Sequence, residues 1–164
     1  MSPAFRIRKA GNQDCPQIIN LVLPIQQIEF NVPVTIEGQP DLQDIEKYYH
    51  KTGGGFWVAE NDTGLAGTIG LIGIGNHAGA LRKMFVRKEY RGKETGIAQT
   101  LFNALISYCK AARINDVYLG SVDRMKAAHR FYERNGFIKI DKASLPAYFP
   151  LMPADNVFYH LDLS

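Results

Sequence analysis

A basic turn with two glycines leads the chain into an amphipathic segment, and its residue types suit the binding of a phosphate group. The first N–H groups of a helix lack partners within the helix and carry a partial positive charge, so they attract anions. Gly92 and Gly96 allow a ligand to approach the backbone closely. Arg91 and Lys93 add cationic side chains, and Ala98 leaves room beside the first helical turn. The turn is therefore a candidate phosphate site.

Two common phosphate-binding motifs are absent from this turn. A P-loop requires Lys followed by Ser or Thr after its last glycine, whereas Gly96 is followed by Ile97 and Ala98. The three-glycine dinucleotide pattern does not follow any predicted strand. Taken alone, the turn fits an ordinary helix start as well as a phosphate site.

A second run with chemical potential, KAAHRFYERNGF, lies downstream and contains a tyrosine. Ala128, Tyr132 and Gly136 follow one another at intervals of four residues, and Phe137 comes next. A tyrosine with a pKa near 10 stays protonated at neutral pH and can donate a proton to a basic leaving group. The competing interpretation is that the Tyr132 ring only packs in the core.

The two runs together resemble a known family. Residues 84–86, 90–93 and 96–98 resemble the acyl-coenzyme A loop of the GCN5-related N-acetyltransferases (the GNAT superfamily), whose signature is Gln or Arg, two residues, Gly, one residue, then Gly or Ala. Residues 128–137 resemble the later motif of that family, Ala-x-x-x-Tyr-x-x-x-Gly-Phe. The two motifs cover roughly residues 80–140, and in this order they are more specific than either alone.

The resemblance implies that acetyl-coenzyme A is the acyl donor and that Tyr132 protonates the leaving thiolate. Backbone groups of residues 84–86 would hold the pantetheine arm and polarise the thioester carbonyl, which suits a strand edge with free N–H groups. The implied cofactor-binding residues are Met84, Phe85, Val86, Arg91, Gly92, Lys93, Thr95, Gly96, Ile97, Ala98 and Ala128.

The chain departs from the family pattern at two positions. Lys93 stands where the signature has Gln or Arg, and Arg91 lies two residues earlier, so we expect the pyrophosphate contacts to be shared differently across the turn. Met125 stands where many relatives carry an Asn that meets the pantetheine arm. We expect that contact to be missing or to come from Ser121 or Asp123.

The general base is not set by the family pattern, because the strand predicted at residues 80–86 carries no carboxylate. Glu29 is the preferred catalytic candidate, since its charge would attract an acceptor ammonium. Glu60 and Glu89 are alternatives, and any of the three glutamates could act through water; a solvated surface glutamate is the competing interpretation for each. An acceptor amine that arrives already neutral is a further alternative, which needs no base. His129, in the second run, is a further candidate whose alternative is a surface or core-edge histidine.

Two segments without regular patterning are the predicted walls of an acceptor site. The connection at residues 26–40 is long, and long connections tend to be functional. Residues 144–153 contain three prolines and form a predicted loop. Together these segments carry Phe30, Tyr148 and Phe149, which would suit an amine attached to an apolar or aromatic body.

The composition predicts a single soluble domain spanning residues 1–164, with 46% hydrophobic and 21% charged residues. A net charge of +3 is too small to indicate nucleic-acid binding. Cys15 and Cys109 form no metal-ligand pattern with the four histidines, so no metal is expected. Because no signal peptide or membrane-length apolar run is present, we expect a cytoplasmic protein without a membrane partner.

Hydrophobic periodicity and turn residues predict a fold of the α/β (α+β) class. It is a mixed, mostly antiparallel seven-stranded sheet with helices on both faces, as the resemblance also implies. The predicted strands are 5–8, 55–60, 66–74, 80–86, 116–121, 137–140 and 157–163. The predicted helices are 14–24, 41–49, 96–113 and 126–135, with Pro24 bending or ending the first. Asn12 or Asp14 is the predicted cap of the first helix, and Asp41 is the predicted cap of the second.

Two functions of different classes are consistent with these features. The first is an acetyl-coenzyme A-dependent N-acetyltransferase acting on a primary amine of a small molecule, an amino acid or a peptide. The second is a non-catalytic acyl-coenzyme A binding or sensing module. Tyr132 favours the first, and the lack of a strand carboxylate keeps the second open. The sequence leaves the acceptor open, as well as the choice between monomer and homodimer.

Overall fold

A computed structural model describes residues 4–164, which form one seven-stranded sheet in the order β1-β2-β3-β4-β5-β7-β6. The strands are β1 (Arg6–Lys9), β2 (Gly55–Asn61), β3 (Gly64–Gly75), β4 (Ala78–Val86), β5 (Asp116–Ser121), β6 (Ile138–Ile140) and β7 (Val157–Asp162). The helices are α1 (Cys15–Pro24), α2 (Ile45–Tyr48), α3 (Ile97–Ala111) and α4 (Lys126–Arg134). Only β4 and β5 pair in parallel, so the predicted mixed, mostly antiparallel sheet is confirmed.

Helices pack against both faces of the sheet through two separate hydrophobic clusters. The first cluster contains the predicted stripe of α3, in which Ile97, Leu101, Leu105 and Cys109 are all buried, together with aromatic residues of α4. The second cluster joins α1 and α2 to the opposite side of β2. A helix with one apolar stripe must cover a sheet face to bury it, which explains the layered arrangement.

The segment after α1 is more regular than the sequence predicts. Residues 26–40 were expected to be irregular, but α1 ends at Pro24 and Ile25–Glu29 continue it as a short π-helix. A proline removes one backbone donor and clashes with the preceding turn, which accounts for the change of helix type at this point. The π-helix places Glu29 beside the turn that precedes α3.

The predicted cap of the second helix is also wrong. Asp44 accepts a hydrogen bond from the Lys47 N–H at 3.1 Å and begins α2, which is only one turn long. Asp41, the expected cap, lies in a 3-10 turn before it and is buried. Its carboxylate binds the side chains of Tyr49, which follows α2, and of Lys83 in β4, instead of a helix end.

The sheet opens between β4 and β5, which pair only from Ala78 to Ala80 with Asp116 to Tyr118. Beyond Ala80, β4 continues to Val86 with β3 as its single partner. The edge of β4 that faces β5 therefore has backbone groups without a ladder partner over residues 81–86. Within residues 4–164, no helix combines the length and apolar character needed to cross a bilayer.

Candidate active site

A cavity of about 280 Å³ lies where β4 and β5 separate. Its walls come from the second half of β4, the end of β5, one side of α4, and two loop segments at residues 32–35 and 152–155. Cavities at the point where a sheet opens are common ligand sites, because the strand ends supply polar backbone groups between apolar walls. The cavity is therefore the candidate active site.

A β-bulge shapes the wall that β4 contributes. Lys83 and Met84 together oppose the single residue Ile69 of β3, and Lys83 has a left-handed backbone with φ of 55°. The Thr68 hydroxyl donates a hydrogen bond of 2.7 Å to the Lys83 carbonyl and holds this conformation. A bulge redirects the strand and its side chains, and such strained positions are frequent at functional sites. Met84 and Phe85, both predicted to bind the cofactor, line the cavity next to it.

The glycine turn has the open space that a phosphate group would need. Gly92 and Gly96 have φ of 113° and 66°, and a Cβ at either position would meet no atom within 4 Å. The helix α3 begins directly after Gly96, so the N–H groups of its first turn face this space. The Thr95 hydroxyl donates to the Tyr90 carbonyl at 2.5 Å and fixes the end of the turn. These features fit the predicted pyrophosphate site.

Arg91 and Glu29 form an ion pair at the edge of this turn. The Arg91 guanidinium donates to both carboxylate oxygens of Glu29, one of them at 2.8 Å, and its Nε donates to the Val86 carbonyl at 2.8 Å. The hydrogen bond from Arg91 lowers the pKa of Glu29. Glu29 does not line the cavity. A paired carboxylate with a lowered pKa accepts a proton poorly, so this geometry gives no support to its predicted role as the base.

Tyr132 lies in the cavity wall beside Ala128, which the sequence also places at the cofactor. Its ring packs against Phe137 and Tyr159, with centroids 5.5 and 5.9 Å away. Burial raises the pKa of Tyr132, and the negative charge of Asp155 adds to the effect. Tyr132 therefore packs in the core and also lines the cavity. Its hydroxyl remains protonated at neutral pH.

Asp155 is the one carboxylate among the described residues that line the cavity. Burial raises its pKa, although the positive charges of Arg82 and Lys83 oppose this. The carboxylate lies close to β5, since a Cβ at Gly120 would be 2.5 Å from Asp155 Oδ2. Sequence reasoning missed Asp155; the available signal is an acidic residue between the predicted loop at residues 144–153 and the last strand.

A buried network of Tyr49, Asp41 and Lys83 lies next to the cavity, which Lys83 lines. The Tyr49 hydroxyl donates to Asp41 Oδ2 at 2.6 Å, and Lys83 Nζ lies 3.3 Å from the same oxygen. Burial lowers the pKa of Lys83 to about 8, and the neighbouring charge of Arg82 acts in the same direction. Burial acts to raise the pKa of Asp41, but the charges of Lys83 and Arg82 outweigh it and the pKa is lowered. No local signal in the sequence indicates this pairing, since the position of Asp41 before a helical segment predicts only a helix cap.

Ser121 and Asp123, the two residues predicted to make a polar contact with the pantetheine arm, lie in different surroundings. Ser121 lines the cavity, whereas Asp123 is exposed and outside it. The Ser121 hydroxyl lies 3.0 Å from Nε2 of His129, which is buried. Burial lowers the pKa of His129. The histidine is therefore a core-edge residue that orients Ser121.

The predicted aromatic walls of the acceptor site are elsewhere. Phe30 packs near the Arg91 guanidinium, Tyr148 is exposed and Phe149 is buried against Tyr118. The corresponding loops instead contribute small apolar side chains to the cavity, which are Val32, Pro33, Val34, Met152 and Pro153. Both loops border the site as predicted, but with aliphatic rather than aromatic surface.

The other candidate bases are also accounted for. Glu60 is held by Arg8, whose Nε lies 3.0 Å from it, and Glu89 is exposed in the turn after β4. Neither residue lines the cavity. Within residues 4–164, no three His, Cys, Asp or Glu side chains are grouped as a metal site.

Comparisons with known proteins agree with this geometry. Residues 19–137 match the model of the acetyltransferase (GNAT) family. A GNAT-family acetyltransferase from Staphylococcus aureus Mu50 superposes with a TM-score of 0.94 at 40% identity, over 98% of this chain and 100% of that one. An acetyltransferase from Streptococcus agalactiae 2603 superposes with a TM-score of 0.92 at 27% identity, over 97% and 98% of the two chains.

A curated relative is similar in sequence as well. The N-acetylaspartate synthetase of Danio rerio is 32% identical over 129 residues, which are 76% of this chain and 45% of that protein. The chain spans about half the length of the curated vertebrate relatives it matches. The family match covers most of the chain and includes both the glycine turn and the tyrosine motif, so this protein belongs to the GNAT acetyltransferase family.

Proposed function

We propose that the chain is an acetyl-coenzyme A-dependent N-acetyltransferase that acetylates a primary amine of a small molecule, an amino acid or a peptide. The observation that carries this proposal is the unpaired edge of β4 beyond Ala80, which joins the cavity containing Tyr132 and Asp155 to the glycine turn before α3. One continuous surface thus offers donors for a pyrophosphate and a pantetheine arm, followed by two groups that can move protons.

The described residues fit the acyl donor along this surface. The open glycines of the turn and the first N–H groups of α3 would hold the pyrophosphate, with Lys93 adding positive charge. The backbone of residues 84–86 would hold the pantetheine arm and donate to the thioester carbonyl oxygen as negative charge develops there. Acetyl-coenzyme A, when bound, supplies an activated acyl group, so the chain has to position an amine and manage protons.

Asp155 is suited to accept the proton of the acceptor ammonium. An amine attacks a thioester only in its neutral form, and Asp155 supplies a basic oxygen inside the cavity. A carboxylate whose pKa is raised by burial is a better base at neutral pH than an ordinary aspartate. Tyr132 lies in the wall beside the thioester arm, where its hydroxyl would donate the proton to the departing thiolate.

One curated relative and the size of the cavity support an amine acceptor of low molecular weight. The name of the Danio rerio relative describes the synthesis of N-acetylaspartate, in which an amino acid carries the acetyl group. The cavity volume of about 280 Å³ is at the small end of ligand sites and favours a compact acceptor.

Two measurements on the purified protein test the proposal. Calorimetry with acetyl-coenzyme A should show saturable binding. A thiol-release assay with a panel of amines should then show release that depends on the amine, with the acetylated amine identified by mass spectrometry. Binding without amine-dependent release would support the alternative, a non-catalytic acyl-coenzyme A binding module. Absence of binding would contradict both functions.

A further inference from the structure

We propose that Arg82 binds a carboxylate of the acceptor, so that the amine acetylated by this chain belongs to an amino acid or a similar carboxylate-bearing molecule. This inference rests on the proposed function and narrows its acceptor class. It is carried by one unpaired cation in the cavity wall and by the way its neighbours are paired.

Among the described residues, two cations line the cavity, and Arg82 lacks the acidic partner that Lys83 has. Lys83 is paired with Asp41, and Arg91, in the glycine turn, is paired with Glu29. Within residues 4–164, Arg82 makes no ion pair, although it lines the cavity and is partly shielded from solvent. A partly desolvated guanidinium in a small cavity presents donors that a ligand anion would satisfy.

Arg82 lies on the face of the sheet opposite to the predicted phosphate site. Arg82 pairs with Gly70 of β3, and cross-strand partners face the same side of a sheet. A Cβ at Gly70 would touch Tyr49 and Phe56, so this is the face covered by α1 and α2. The cofactor turn and α3 belong to the opposite core cluster. Arg82 is thus separated from the predicted phosphate site and available to a second ligand.

The charges that line the cavity match a zwitterion. Three ionisable side chains other than tyrosine line it within the described chain, namely Arg82, Lys83 and Asp155. The carboxylate of Asp41, which does not line the cavity, balances the charge of Lys83. The groups left to meet a ligand are one guanidinium and one carboxylate. A carboxylate on Arg82 and an ammonium near Asp155 would satisfy both, whereas a simple alkylamine would leave Arg82 without a partner.

Kinetics with matched acceptors test this inference. The probes are glycine, leucine and aspartate, each compared with its carboxyl amide. Wild-type protein should have a lower KM for each acid than for its amide. Arg82→Gln should raise the KM for the acids about 10- to 100-fold, the range expected for loss of a charged hydrogen bond, and change the KM for the amides little. Arg82→Lys keeps the charge without the bidentate geometry and should recover part of the loss.

A matched control and a folding check make the result decisive. Arg130→Gln removes the same charge from an exposed position of α4 outside the cavity, so its preference for acids should equal that of wild type. Melting curves with saturating coenzyme A establish that each variant is folded and binds the cofactor. An equal rise in KM for acids and amides in Arg82→Gln would overturn the inference. A lower wild-type KM for the amides than for the acids would also overturn it.

A second readout separates this inference from the proposed function. If the protein binds acetyl-coenzyme A but acetylates none of the probes, calorimetry of N-acetylglycine and N-acetylaspartate against the coenzyme A-loaded protein decides the question. Binding of these anions that is lost in Arg82→Gln and kept in Arg130→Gln would support a carboxylate site at Arg82 even though the proposed activity had failed. Absence of such binding in wild type would overturn it.

Discussion

At the scale of single residues, the proposed mechanism assigns the proton chemistry of the cavity to two buried side chains. Tyr132 and Asp155 are both placed in the cavity wall, and burial raises the pKa of each. For a phenol, the raised pKa keeps the proton available for donation. For a carboxylate, it strengthens the group as a proton acceptor. In the proposed mechanism, the same physical cause therefore suits Tyr132 to act as the acid and Asp155 to act as the base.

Replacing Tyr132 with Phe should separate catalysis from packing. Tyr132→Phe keeps the ring against Phe137 and Tyr159 and removes only the hydroxyl. We expect kcat to fall about 10²- to 10⁴-fold, the usual range for general acid catalysis, while the affinity for acetyl-coenzyme A changes little. Any wild-type loss of rate from ionisation of Tyr132 should lie above pH 10, because its pKa is raised. Equal single-turnover rates in the two proteins would remove Tyr132 from the mechanism.

Replacing Asp155 with Asn should change the acid limb of the pH profile. Asp155 acts as a base only when deprotonated, so the wild-type rate should rise with pH through a pKa above the ordinary aspartate value. Asp155→Asn should remove that limb and lower kcat about 10²- to 10⁴-fold.

The stability of the Asp155 variant provides a control on this interpretation. A carboxyl whose folded pKa is raised costs stability at pH values above that pKa, because the folded state disfavours its charge. At pH 7, Asp155→Asn should therefore melt at the wild-type temperature or higher. A loss of activity accompanied by a lower melting temperature would point to a structural role instead.

At the scale of elements, the turn before α3 and the π-helix after α1 meet at the Arg91–Glu29 ion pair. The sequence indicated the turn and its glycines correctly, but the contact joins positions 62 residues apart and has no local signal. Glu29 was therefore assigned to the acceptor site on the basis of its charge. Its actual partner is an arginine of the predicted phosphate turn.

Glu29→Gln should consequently affect the donor more than the acceptor. Loss of the carboxylate charge frees Arg91 for the pyrophosphate, so the Kd for coenzyme A should fall and its dependence on salt should steepen. The KM for the acceptor should stay near the wild-type value. Calorimetry at two salt concentrations, together with acceptor kinetics, measures both effects. A raised acceptor KM with an unchanged Kd would instead restore Glu29 to the acceptor site.

The open glycine at the start of α3 allows a matched test of the phosphate site. Gly96→Glu places a negative side chain in the open space beside the first turn of the helix, so coenzyme A should no longer raise the melting temperature. Gly75 also has a left-handed backbone, with φ of 83°, and open space around it, but it is the last residue of β3, just before the turn to β4. The Gly75→Glu variant should lose a similar amount of stability from backbone strain. Its melting temperature should still rise by the full wild-type amount with coenzyme A. Loss of the shift in both variants would contradict the assignment.

At the scale of the whole molecule, elements with strong periodicity were predictable and contacts between distant elements were not. The stripe of α3 and the strands around it were indicated by local patterns, and the structure confirms them. The bulge at Lys83, its pairing with Asp41, and the placement of Asp155 against β5 depend on three-dimensional packing. Local patterns in the sequence therefore indicated the turn and helix of the predicted phosphate site, but not the contacts that bring Lys83 and Asp155 to the cavity and pair Lys83 with Asp41.

A crystal structure with bound coenzyme A tests the central claim most directly. The claim is that the opening between β4 and β5 is where acetyl transfer takes place. We predict the pyrophosphate at the turn around Gly92 and Gly96, the pantetheine arm along the unpaired edge of β4, and the sulfur within hydrogen-bonding distance of the Tyr132 hydroxyl. A cofactor bound elsewhere, or an arm that leaves the cavity empty with its sulfur far from Tyr132, would contradict the account.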